Sequence, residues 1–191
     1  CGQIIFVTHS VLPFVKYWPN KTSLHLLIDE DLQVIRYDSL CLPHNHQFIT
    51  DDIQIVPSGP KYGKVVIQDE ESIEHKSRNK DEDDIYRAIQ EPLRIIGNQY
   101  WETFVDVEQF ERISEGDGEL SFHSPLRPEI LAGLVSVFMT AAMFEKTAIY
   151  QLWSKAGVKF IHDDEFAGQL RFPKHRNGSL VSIFYATEYP W

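Results

Sequence analysis

The sequence is poor in cysteine and in positive charge, and it has no long apolar run. Only Cys1 and Cys41 are present among 191 residues. Two cysteines make no disulfide framework, and neither stands at a zinc-ligand spacing. A reducing cytoplasm is the expected compartment. Lys and Arg number 18 against 28 Asp and Glu, for a net charge of −10. That balance argues against a broad basic grip on DNA or RNA. It leaves room for a motor that touches the nucleic-acid backbone along one channel. No stretch approaches the roughly 20 apolar residues of a transmembrane helix, so no membrane is expected. No basic region precedes an apolar one at the start, so no secretory signal is read. Gly-x-x-x-x-Gly-Lys-Ser/Thr is also absent, and Pro57-Ser58-Gly59-Pro60 reads as a turn, not a phosphate loop.

What is present fits a globular protein. The apolar share is 43% and the charged share 24%, ordinary values for a chain that buries a core. The length predicts one domain or one and a half. The chain starts inside an apolar pattern and stops just after another, Leu180 to Tyr185. This predicts a fragment of a longer polypeptide, since domain boundaries are usually polar.

The stretch around which the rest is organised is Leu24-His25-Leu26-Leu27-Ile28-Asp29-Glu30-Asp31. A short apolar run ending in charge reads as a strand buried on both faces. Buried parallel strands deliver their chemistry at the carboxyl end. Two adjacent carboxylates there suit a division of labour in which Asp29 holds magnesium on a nucleotide phosphate and Glu30 polarises the attacking water. The competing reading is a strand that runs out into a solvated acidic turn.

Upstream, Gln3 to Val7 is β-branched and aromatic and reads as a strand ending in Thr8-His9-Ser10. A short helix between Val11 and Tyr17, closed by Pro19, would make the first 31 residues a βαβ unit with both polar tips on one edge. The triplet also suits a helix N-cap through Ser10. Downstream, Phe48 to Val56, Lys64 to Gln68, Tyr100 to Val107 and Leu120 to His123 read as strands, and Gly116-Asp117-Gly118 as a hairpin-like turn. His44 and His46 form a His-x-His pair in what reads as an exposed loop. Asp69 to Asp84 is a charge-rich loop or surface helix, continued by Ile85 to Ile89 until Pro92. Leu134 to Met139 is again an apolar strand, ending in Thr140-Ala141-Ala142. Phe144 to Lys155 has helical spacing and is closed by Gly157. Short strands are read at Val158 to Ile161 and Leu180 to Tyr185, with a basic loop at Gly168 to Gly178 between them.

Three apolar strands thus end, in chain order, in Thr8-His9-Ser10, Asp29-Glu30 and Thr140-Ala141-Ala142. This ordered set resembles the first RecA-like lobe of superfamily 2 helicases, in particular the divergent DEAD/DEAH-type helicases of phages. Leu26 to Glu30 resembles the DExx motif, Phe6 to Ser10 the Thr-His segment, and Phe138 to Ala142 an altered Ser-Ala-Thr motif. The resemblance implies an α/β fold, a partial RecA-like parallel sheet with a long β-rich insertion. It divides the chain into core strands at 1–31, an insertion at 32–128, continued core at 129–166, and a hinge with the start of a second lobe at 167–191. It implies ATP and Mg²⁺ as cofactors, with Asp29 as the magnesium ligand and Glu30 as the activator of water. It places Thr8, His9 and Ser10 against nucleic acid, and it gives Thr140, Ala141 and Ala142 the coupling role. The partners implied are DNA or RNA and the missing upstream and downstream parts of the same polypeptide. The sequence departs from the family in lacking the phosphate loop and an arginine-finger motif, in carrying Asp31 where Ala is common, and in its long gap from Glu30 to Thr140.

Two other readings remain open. One is a non-catalytic interaction domain or degenerate ATPase lobe. The other is an N-terminal nucleophile hydrolase, in which Cys1 would use its own α-amine as base.

Overall fold

The computed structural model describes residues 4–15, 17–41 and 43–169. Residues 1–158 form one compact unit and 159–191 a second.

In the first unit, β1 (His25–Asp29) leads into β2 (Ile35–Leu40). A single helical turn, α1 (Gln47–Thr50), precedes β3 (Ile53–Pro57), which turns back into β4 (Tyr62–Ile67). Two helices follow, α2 (Glu70–Arg78) and α3 (Asp84–Ile96). Asp69 caps the first through the Ser72 N–H, and Asp83 caps the second through the Ile85 and Tyr86 N–H groups. Then come β5 (Phe104–Asp106), α4 (Val107–Ser114), β6 (Leu120–Pro125), β7 (Ser136–Thr140) and α5 (Ala148–Lys155). Gly157, at φ +92°, ends α5 in the left-handed conformation that a glycine adopts without strain, and the Val158 N–H returns to the Trp153 carbonyl. The second unit contains α6 (Asp164–Gly168), capped by Asp163.

The architecture is mixed α/β. Its main sheet has five antiparallel strands in the order β2-β6-β5-β4-β3, and β1 and β7 form a separate two-stranded parallel sheet. The mixed α/β class and a parallel pairing between the flanking segments are as expected, and all five antiparallel strands fall within the 32–128 segment; the described residues show a parallel pair, not a full RecA-like parallel sheet. One face of that sheet is packed with Leu40, Ile53, Val65, Val105, Leu120 and Phe122. Ile73 of α2, Ile89, Leu93 and Ile96 of α3, and Ile113 of α4 close over it. The principal core therefore lies between Leu40 and Phe122.

Several local expectations are also corrected. Residues 4–7 belong to neither sheet, and Phe6 is 92% exposed. β-branched composition favours a strand only where a neighbouring strand completes the ladder. The βαβ unit over the first 31 residues is therefore not formed; its helix is reduced to one 3-10 turn, Leu12–Phe14. The segment after Val107 is α4, not a hairpin arm, and Gly116 to Gly118 joins that helix to β6. Helix α3 runs through Pro92 to Ile96, its apolar side buried in the core. Residues 158–161 are not a strand. The strand expected at Leu180 to Tyr185, and all but the first two residues of the basic loop, lie outside the described residues.

Candidate functional site

The two strand tips singled out from the sequence meet. β1 and β7 pair in parallel, with Asp29 directly opposite Thr140. The segments are 111 positions apart, and the Thr140 hydroxyl donates to Asp29 Oδ1 at 3.0 Å. The ladder runs one step further, where the Glu30 N–H donates to the Thr140 carbonyl at 2.7 Å. Beyond that bond the backbone turns sharply, and Glu30 takes φ +70°. A glutamate in the left-handed region is strained, by about 1–2 kcal/mol against an ordinary conformation. The turn places the Asp29 and Glu30 side chains, both exposed, at the carboxyl end of a parallel strand pair. Ala141 and Ala142 follow Thr140 immediately, with small side chains at that end.

β1 is not buried on both faces as expected. Ile28 is buried, but Leu27 is 68% exposed, and its partner Phe138 is 52% exposed. The exposed face carries three matched rows: His25 bonded to Ser136, Leu27 beside Phe138, and Asp29 bonded to Thr140.

Thr8-His9-Ser10 is a turn, not a strand end. The Val11 and Leu12 N–H groups both donate to the Thr8 carbonyl, and the Thr8 and Ser10 hydroxyls are 3.1 Å apart. Ser10 caps no helix; Val11 occupies the cap position of the 3-10 turn. Of the triplet, His9 is within electrostatic reach of Asp31, the residue after the acidic tip. Burial pushes the Asp31 carboxyl above its ordinary range, and the charge of His9 acts on it in the opposite sense. His9 and Ser10 also line a small cleft of about 230 Å³ with Gln33, Arg36 and Trp101. Sequence reasoning missed this cleft, since no local pattern joins residue 101 to residue 9. Trp101 is buried, and its indole N–H has no hydrogen-bond partner among the described residues.

No group of three or more His, Cys, Asp or Glu is placed to hold a metal ion among the described residues. That bears on protein-only metal cages. It does not bear on magnesium carried with a nucleotide, which typically takes one or two carboxylates and keeps several waters. Asp29 with its hydroxyl neighbour fits the second type. The His44-His46 pair forms no such site: His46 Nδ1 lies 2.9 Å from the Thr50 hydroxyl one helical turn on. No helix among the described residues is long and apolar enough to cross a membrane.

No protein-family model, no curated protein and no solved structure matches the chain.

Proposed function

We propose that this chain is part of an ATP-dependent helicase or nucleic-acid translocase, in which β1 and β7 are neighbouring strands of a larger parallel sheet. The observation that carries the reading is the parallel register that sets Asp29 against Thr140 at the carboxyl ends of the two strands. In open α/β sheets that end is where ligands bind. Asp29, oriented by the Thr140 hydroxyl, is the ligand for a magnesium ion arriving with ATP. The ion's chemistry is to shield phosphate charge. Glu30, re-aimed by its left-handed turn, accepts a proton from the attacking water and orients it. Thr140 is bonded to Asp29 and followed by two small residues. It is placed to pass any displacement of Asp29 along β7, which is the coupling role. Thr8, His9 and Ser10 contact nucleic acid beside Asp31. A cytoplasmic setting belongs to the same reading.

The phosphate cradle is not in this sequence, so a working motor takes it from another segment of polypeptide. The coding DNA upstream of Cys1 supplies the test. A Gly-x-x-x-x-Gly-Lys-Ser/Thr loop within roughly a hundred codons is expected. The polypeptide carrying both is expected to hydrolyse ATP, and Glu30→Gln is expected to abolish turnover while nucleotide binding survives. Unchanged turnover in that variant overturns the assignment. The second reading is a non-catalytic interaction domain or degenerate lobe. What favours it is the self-contained core between Leu40 and Phe122, which needs neither strand tip.

A further inference from the structure

Among the described residues, helices cover only one face of the five-stranded sheet. On the other, one row of directly paired residues crosses every strand: Tyr37 on β2, His123 on β6, Phe104 on β5, Lys64 on β4 and Val56 on β3. Residues two positions along a strand share its face, so Ile35, Tyr62 and Val66 belong to the same side. Among the described residues between 32 and 128, the exposed large apolar side chains are Ile35, Tyr37, Val56, Tyr62 and Val66. All five stand on this one face.

The centre of the face is aromatic rather than aliphatic. The Tyr37 and His123 rings are 5.3 Å apart, and those of Tyr62 and His123 are 5.7 Å apart. Tyr37 is 60% exposed, yet it is fixed in place, its hydroxyl 3.1 Å from that of Ser121 on the adjacent strand. The ammonium groups beside these rings are Lys61, 5.5 Å from the Tyr62 ring centre, and Lys64. The carboxylate facing Lys61 is Asp106, which already accepts from the Glu108 and Gln109 N–H groups at the start of α4. Lys64 is paired with Glu102. A partner suited to this face has flat π-surfaces for the ordered rings and negative charge able to exchange with Asp106 and Glu102 at the two exposed lysines. An aliphatic protein surface offers neither. Unpaired bases joined by phosphates offer both, and bases stack on exposed aromatic side chains without regard to sequence.

We propose that this open face binds single-stranded nucleic acid, with bases stacked on Tyr37 and Tyr62 and the backbone directed past Lys61 and Lys64. The proposal rests on the nucleic-acid partner of the motor reading and gives the 32–128 segment its part in it, a holding surface for the strand.

The test is fluorescence anisotropy of a labelled oligothymidylate, roughly a dozen nucleotides long, titrated with the whole chain. Tyr37→Ala and Tyr62→Ala are expected each to weaken binding by about 5- to 150-fold, the worth of one stacked base. Tyr37→Phe and Tyr62→Phe, which keep the ring, are expected to bind like the parent. A thermal melt run alongside checks that the alanine variants remain folded. If folded alanine variants bind as well as the parent while His9→Ala does not, the strand lies at the Thr8 turn; the sheet-face proposal then fails and the motor reading stands. If the parent binds no oligonucleotide but forms a dimer that Tyr37→Ala dissolves, the face takes a second copy of the chain and the proposal is overturned. The motor reading falls separately, on unchanged turnover in Glu30→Gln.

Discussion

Asp29 and Thr140 face one another across a two-stranded parallel sheet and are joined by a hydrogen bond from hydroxyl to carboxylate. The bond ties a strand tip early in the chain to one late in it. Thr140→Val keeps the β-branched shape and removes the donor. The expected loss is about 0.5–1.5 kcal/mol of stability, toward the lower end because Asp29 is exposed. Urea denaturation measures it. An unchanged midpoint would mean that water replaces the hydroxyl at no cost.

Glu30 sits at φ +70°. Glycine adopts that conformation without the steric penalty but loses more freedom on folding. The two effects leave Glu30→Gly expected to be as stable as the parent or up to about 1 kcal/mol more stable. A side chain that costs stability where it stands, at the tip of β1, is what a functional residue is expected to show. A clear drop in melting temperature for Glu30→Gly would contradict this.

Lys76 on α2 reaches Asp52 at 2.6 Å and the Phe48 carbonyl at 3.0 Å, with both charged side chains largely buried. Removing one partner leaves a buried charge uncompensated. Lys76→Met keeps the apolar stem and is expected to cost about 3 kcal/mol. Adding Asp52→Asn to it is expected to recover part of that loss, since the stranded charge is then gone. Additive losses in the double variant would show that the pair is not coupled.

Two aspartates give opposite pH dependences. At Asp106, burial pushes the carboxyl up, but the Gln109 N–H, Lys61 and the Glu108 N–H outweigh it and hold the group below its ordinary value. A depressed carboxyl contributes stability above its unfolded value and loses it as pH falls through the folded one. At Asp38, burial raises the carboxyl, against Arg36 and with Glu91. Its contribution is full below the unfolded value and lost as pH rises through the raised one. Asp106→Asn is therefore expected to flatten the acid limb of the stability profile. Asp38→Asn is expected to leave neutral-pH stability equal or higher. Thermal melts across pH 3 to 7, roughly the range these shifts span, separate the two.

The parts of the fold legible in the sequence were those with local causes. β1 and β7 were readable from apolar runs of strand length, and α5 from its 3.6-residue spacing and Gly157. Asp69 and Asp83 begin helices in the charge-rich stretch, where capping chemistry is a local matter. Residues 4–7 misled because strand propensity does not say whether a neighbour exists. Helix α4 was hidden because Phe110 and Ile113, the side chains packed on or in the core, stand in an otherwise polar stretch. The tips Asp29 and Thr140 are read from separate local runs and placed in one site by the resemblance alone, since their register is something no local pattern encodes. The row from Tyr37 to Val56 was wholly invisible for the same reason: its members come from five strands spread over the middle of the chain.

That separation also sets an order of events. A two-stranded parallel pair is weak on its own, and closing a loop of more than a hundred residues costs entropy before any contact is made. The β3–β4 and β5–β6 pairs and the α2–α3 pair use short connections, so they condense first, and closing β2 onto β6 then shortens the path between the two tips. Protection of the Glu30 amide, which ends the β1–β7 ladder, is then expected to appear late in refolding, after that of the buried strands. The parallel pair is the last part of the unit to close and the first to open.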